Sequence, residues 1–220
     1  MKVTAIVSGG LDSTVLAYAL KDAENELELL SFNYGQRHKR ELAYAGFTAG
    51  RLGAKFQVLD IDFLGKLLSG SALTDTGVAV PHGHYADESM KATIVPNRNA
   101  IMLAIAYGIA SAGGSDVVAL AVHGGDRPIY PDCRKEFLDA FEMMEILAME
   151  GSKCPTLYAP FVTYSKADIV KLGHRLKVPF EDTYSCYEGG AIHCGQCGTC
   201  VERKEAFKLA GVVDPTKYAS

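Results

Sequence analysis

The chain lacks several things, and each absence narrows its class. No apolar run reaches membrane length, since the longest, Ala100 to Ala110, is well short of the ~20 residues a spanning helix needs. After Met1-Lys2-Val3 only a few apolar residues precede Ser8, too few for the hydrophobic region of a signal peptide. A basic excess is missing as well: 22 Lys and Arg against 26 Asp and Glu leave a formal net charge of −4 and a pI near 5.9. A surface that holds a nucleic-acid backbone needs clustered Lys and Arg, so a small-molecule substrate is expected, with no nucleic acid and no membrane as partners. The expected location is the cytoplasm, where the six cysteines stay reduced unless they bind a metal.

What is present, at 220 residues and 48% hydrophobic, suffices for one large core. Its organising stretch is Ser8-Gly9-Gly10-Leu11-Asp12-Ser13-Thr14. Lys2 to Val7 before it is a β-branched strand run, and Val15, Leu16, Ala19 and Leu20 after it repeat at helical spacing. Gly9 and Gly10 permit positive φ and expose backbone N–H groups. Asp12, Ser13 and Thr14 open a helix whose first N–H groups are unpaired and lie at the positive end of its dipole. The turn is a phosphate cradle. It has no Gly-Lys-Ser/Thr, which excludes the lysine-bearing Walker loop.

In chain order, the spacing predicts a helix from about Asp12 to Lys21, a strand over Leu27 to Asn33, a helix from about Arg37 to Leu52 and a strand over Lys55 to Asp60. Tyr34, Gln36 and His38 follow the second strand, at the carboxyl edge where ligands of open α/β sheets sit. Leu67 to Thr93 has no period and reads as a long loop of the lid or disordered type; His82 and His84 within it are read as solvent-exposed. Pro96 forces an extended approach, Asn97 or Asn99 can cap, and an apolar helix then runs to about Ala112. Arg98 at its start suits a phosphate or a carboxylate.

Asp116 to Val122 is the most strand-like run in the chain. In a sheet of order 3-2-1-4-5 it lies beside the first strand, so His123-Gly124-Gly125-Asp126 should face the glycine loop across the switch point. Asp126 and Asp132 are placed to accept the amino and ring N–H groups of a purine-like ring. Cys133 reads as buried and inert. A helix from about Lys135 to Met149 is expected to bury Phe137, Phe141, Met144 and Leu147 or Ala148. Ser165-Lys166-Ala167-Asp168 has the form of a capping box, and Lys166 in a first helical turn calls for an anion nearby.

Near the C-terminus, Cys186, Cys194, Cys197 and Cys200 have the spacing of a tetrahedral zinc site with no open position, hence structural. An iron–sulfur cluster is also compatible with four thiolates, and His193 could replace one of them. The fold class read from these elements is α/β, an open parallel sheet of about five strands flanked by helices and Rossmann-like. Residues 1–180 form the α/β domain and 181–220 a metal-binding segment packed on it.

The Ser-Gly-Gly-x-Asp-Ser loop resembles that of the N-type ATP pyrophosphatases, of the adenine nucleotide alpha hydrolase-like fold. Four further blocks, Tyr34 to His38, Val95 to Asn99, Tyr130 to Arg134 and the Cys186 to Cys200 cluster, are in this order similar to the 7-cyano-7-deazaguanine synthase family of the queuosine pathway. One departure is Lys135, where a proline is expected.

The resemblance implies an ATP-dependent ligase that turns 7-carboxy-7-deazaguanine and ammonia into the nitrile by way of an amide. It implies ATP on Ser8, Gly9, Gly10, Leu11, Asp12, Ser13 and Thr14, with Mg2+ beside Asp12 and Ser13. Arg98 and Lys166 would join Asp12 and Ser13 in catalysis. Gln36, His38, Asp126 and Asp132 would contact the substrate, one structural Zn2+ would sit on the four cysteines, and the assembly would be a homodimer. No glutaminase-like Cys-His arrangement is evident, so free ammonia is the expected nitrogen source.

Overall fold

The computed structural model describes residues 1–85 and 88–220. Strand β1 (Lys2–Ile6) leads into helix α1 (Leu11–Asp22), β2 (Glu26–Asn33), α2 (Glu41–Leu52) and β3 (Lys55–Asp60). A short α3 (Phe63–Leu67) precedes α4 (Arg98–Ala112), β4 (Val117–Ala119), α5 (Lys135–Ala148), β5 (Thr156–Tyr158), α6 (Lys166–Arg175) and α7 (Gly198–Ala210). The strands form one sheet of order β3-β2-β1-β4-β5, parallel throughout. The order reverses at β1 and β4, as expected. A parallel sheet is covered on both faces, which is why β4 is apolar throughout and β2 is buried from Leu27 to Phe32 on both sides. On one face Val3, Ala5, Leu16, Ile169 and Phe207 pack together; on the other Leu30, Phe32, Leu103, Tyr107, Val118 and Phe141.

The structure corrects four sequence expectations. Residues 37–40 are turns, and α2 starts only at Glu41. Arg37 points inward, donating to the carbonyls of Asp75 and Val78 at 3.0 and 2.9 Å.

The stretch from Leu67 to Thr93 is packed down. Ala72, Leu73, Val80, Tyr85, Met90 and Thr93 are buried, and Glu88–Thr93 is a 3-10 helix; residues 86–87 of that expected loop lie outside the described residues.

Asn97 precedes α4 in a left-handed conformation, φ 58°, with no side-chain cap. The Asn99 N–H donates instead to Asp132 Oδ2 at 3.1 Å.

On α5 the buried residues are Leu138, Phe141 and Glu145, while Met144 and Leu147 are exposed. Apolar residues lie nearly all round this helix, so its spacing did not fix which stripe turns inward.

Candidate active site

The glycine loop is held by its own hydroxyls. Ser8 N–H donates to Ser13 Oγ at 3.1 Å, Gly10 N–H to Ser8 Oγ at 3.2 Å, and Ser13 Oγ to the Gly10 carbonyl at 3.2 Å. Gly9 has φ 88°, and a Cβ there would lie 2.2 Å from the Glu41 carbonyl oxygen. Its missing side chain makes room for α2, and it is not among the residues lining the cavity; nor is Thr14, which is buried inside α1. Ser8, Gly10, Leu11, Asp12 and Ser13 do line it.

Opposite the loop, the first turn of α6 delivers Lys166. The capping box that positions it is complete: Ser165 Oγ accepts from Asp168 N–H and the Asp168 carboxylate accepts from Ser165 N–H. Lys166 Nζ donates to Asp12 Oδ2 at 2.6 Å and lies 3.1 Å from Glu202 Oε2. It is also 3.1 Å from His123 Nε2. The Gly125 N–H donates to His123 Nδ1 at 3.0 Å, and Asp126 Oδ1 lies 3.4 Å from Nε2.

Burial opposes the charge on Asp12, but Lys166 and His123 outweigh it and hold the carboxyl below its usual range. Burial likewise opposes the charge on Lys166, and Asp12 with Glu202 overcomes it, keeping the ammonium protonated. Burial raises Glu202. Asp12 Oδ1 is buried with no hydrogen-bond partner, a hard oxygen of the kind that Mg2+ takes as ligand. Glu202 was missed in the sequence because only the packing of α7 against α6 brings it to Lys166.

The far end of the cavity is aromatic. Arg98 Nη1 donates to the Tyr34 hydroxyl at 3.3 Å, and the guanidinium lies 5.5 Å from that ring's centroid. Among the described residues no carboxylate lies within ion-pair distance of Arg98. Tyr85, Tyr130, Tyr184 and Tyr187 also line the space. Tyr85 donates to Asp126 Oδ1 at 3.0 Å, joining the two ends.

Of the four residues expected on the substrate, His38 and Asp126 reach the cavity wall. Gln36 and Asp132 are not among its lining residues. Gln36 is spent on the turn, accepting from Tyr34 N–H at 2.8 Å and donating to the Phe32 carbonyl at 2.9 Å. Asp132 is spent capping α4. Cys133 is buried, and burial pushes its thiol well up.

The four cysteines Cys186, Cys194, Cys197 and Cys200 converge, their sulfurs all within 4.8 Å of one another. A tetrahedral ion with thiolates at ~2.3 Å sets sulfurs about 3.8 Å apart, so the donor set fits one. Cys194 N–H donates to Cys186 Sγ at 3.3 Å and Cys197 N–H to Cys194 Sγ at 3.2 Å, bonds that favour ligating thiolates. His193 does not join them. Its Nε2 accepts from Ser185 N–H at 3.1 Å, and its ring lies between Tyr184 and Tyr218. His82 and His84 pair with Glu188 and Glu205.

The cysteine segment is built into the site. Arg203, 0% exposed, donates to Thr183 Oγ1 at 2.7 Å and to the Phe180 carbonyl at 3.0 Å, and pairs with Asp214 at 3.3 Å. Tyr184, Ser185, Tyr187 and Thr199 from this segment form part of the cavity wall.

A parallel sheet carrying this lysine-free phosphate loop places the chain in the PP-loop class of ATP-using α/β proteins. Among solved structures, NMN synthetase from Francisella tularensis shares the fold, with a TM-score of 0.55 at 14% identity over 96% of this chain and 77% of that one. The model of the family described as "Queuosine biosynthesis protein QueC" matches residues 2–211, and the chain belongs to that family. A relative from Rhizobium meliloti (strain 1021), named 7-cyano-7-deazaguanine synthase, is 62% identical over 219 residues, 99% of this chain and 92% of its own. One of the same name from Ruegeria pomeroyi is 57% identical, covering 100% of this chain and 95% of its own.

Proposed function

We propose that this chain is an ATP-dependent ligase that converts 7-carboxy-7-deazaguanine and ammonia into 7-cyano-7-deazaguanine. The observation that carries this reading is the meeting, in one cavity, of a phosphate loop with Lys166 at one end and an aromatic pocket with Arg98 at the other. Membership of the QueC family supports the identity of the substrates.

A carboxylate is a poor electrophile, so its oxygen must first become a leaving group. The substrate carboxylate attacks the α-phosphorus of ATP and pyrophosphate leaves. Ammonia adds to the activated carbonyl and the nucleotide leaves, giving the amide; activating the amide oxygen the same way and eliminating it, with loss of two protons, gives the nitrile. The loop N–H groups at the start of α1 receive phosphate oxygens and Lys166 balances the charge that builds on them, while Arg98, at the aromatic end, is placed for the substrate carboxylate. Asp12, with Oδ1 unpartnered, would hold Mg2+, which supplies further charge neutralisation when bound. No protein nucleophile is needed; the site acts by positioning.

The four cysteines are read as a structural Zn2+ site, closed by four thiolates with no open position for a substrate. Residues 1–180 then act as the ATP-handling unit and 181–220 as the metal-stapled part of its wall, in a reducing, cytoplasmic setting. A homodimer belongs to the same reading: Met143, Met144, Ile146 and Leu147 leave an apolar face of α5 exposed, the kind of face that a second copy covers.

Mass spectrometry of the protein with 7-carboxy-7-deazaguanine, ammonium, ATP and magnesium, beside a control without ATP, tests the reading. The nitrile with a transient amide is the expected result. Absence of both from folded, metal-loaded protein would overturn it.

A further inference from the structure

Glu41, the first residue of α2, lies on the cavity wall, and only 8% of it is exposed. Among the described residues no lysine or arginine pairs with it. Gln36 Nε2 donates to its Oε1 at 3.2 Å, and His38 Nε2 is 3.4 Å from the same oxygen. Gln36 cannot turn its amide round without breaking its bonds to Tyr34 N–H and the Phe32 carbonyl, so the donor facing Glu41 is fixed. Oε2 has no hydrogen-bond partner among the described residues. His38 is itself buried, packs 5.5 Å from the Tyr187 ring and carries a sealed Nδ1 with no partner.

Burial raises the Glu41 carboxyl to about 8, against the pull of Gln36 and Arg98, and lowers His38 to about 3. An acid in the first turn suits the dipole of α2, but that role does not require burial. A buried carboxyl without a counter-cation is costly unless a ligand satisfies it.

Resting on the function proposed above, we infer that Glu41 is the specificity-determining residue for the heterocycle. Its carboxyl, giving up its proton as the ring binds, accepts the two adjacent N–H groups of the 2-aminopyrimidin-4-one edge, the ring N–H and the exocyclic amino group. That edge presents two donors side by side, and a carboxylate presents two acceptors. The base of ATP alternates donor and acceptor along its edge and does not match. The acceptor role expected of Asp132 thus moves to Glu41, Asp132 being occupied with α4.

The test compares 7-carboxy-7-deazaguanine with its analogue lacking the exocyclic amino group, in wild type and Glu41→Gln. Losing one partner of a buried bond costs roughly a factor of 10 to 100, so wild type should prefer the full substrate by about that factor in kcat/KM. In Glu41→Gln the preference should shrink to within about threefold, with KM for the acid raised at least about tenfold and KM for ATP nearly unchanged. A rise in the KM for ATP alone, or an unchanged preference, would overturn the inference. If the variant fails to fold, wild type still decides it, because equal turnover of both substrates excludes the assignment. Wild type that makes no nitrile at all would count against the proposed reaction, whereas nitrile formation without discrimination counts against Glu41 alone.

Discussion

Lys166 Nζ and Asp12 Oδ2 meet at 2.6 Å although 154 residues separate them in the chain, so the first turns of α6 and α1 are joined at the phosphate cradle. The ammonium is shared with Glu202, and the three groups form one charge unit.

Lys166→Met should therefore lower kcat by about 10²- to 10³-fold, the loss typical of removing one electrostatic stabiliser. It also leaves two carboxylates unpaired, so unfolding by urea should report a loss of up to about 3 kcal/mol, less than for a fully buried pair because Asp12 keeps some exposure. Lys166→Arg should recover the stability and only part of the rate.

The apo protein should lose stability as pH rises above neutrality. Glu41 ionises near about 8 when folded, against an ordinary 4.5. Between those values the folded state binds more protons than the unfolded one, and stability falls with rising pH by at most about 1.4 kcal/mol per unit. His38, held near about 3 against 6.5, acts in the opposite sense at lower pH: its contribution is full above 6.5 and is lost as pH falls toward 3. The two offset one another in the acid range, leaving Glu41 alone above it. Chemical denaturation of Glu41→Gln should show that the alkaline decline has gone.

Metal and turnover should separate by variant. Cys194→Ser should lower bound metal and melting temperature together, whereas Ser13→Ala should spare both and reduce turnover. Metal analysis beside calorimetry reads this out, and equal metal content and melting temperature in wild type and Cys194→Ser would refute a structural metal.

Gly9→Ala should destabilise by about 2 kcal/mol or more, since it combines a left-handed backbone with a Cβ pressed on the α2 backbone. Thermal unfolding checks this. A neutral result would mean that α2 can back away from the loop.

Much of this was legible in the chain. The strands, the loop and the Ser165 capping box followed from periodicity and turn chemistry, which are local, and the order of the sheet from the doubly wound pattern such alternating elements adopt. The cysteine spacing announced a site because metal ligands cluster in sequence. What stayed hidden depended on packing across the molecule. Glu202 and Glu41 are ordinary helical acids until α7 meets α6 and the Tyr34 to Arg40 turn folds under the cavity. Asp132 looked free for a ligand because its partner, the Asn99 N–H, belongs to a helix whose own candidate cap faces away. On α5 the apolar residues were too many for the sequence to say which side would be dry.

Helix α7 carries Cys200 of the four-cysteine cluster, a cavity wall residue at Thr199, the Lys166 partner at Glu202 and the anchor at Arg203 within one turn and a half. Removal of the proposed metal would therefore cost more than a brace, because the same loosening would release the groups around Lys166. A partly loaded preparation would then be a mixture of competent and silent molecules, its maximal rate rising in proportion to metal content while the KM of the active fraction stays constant.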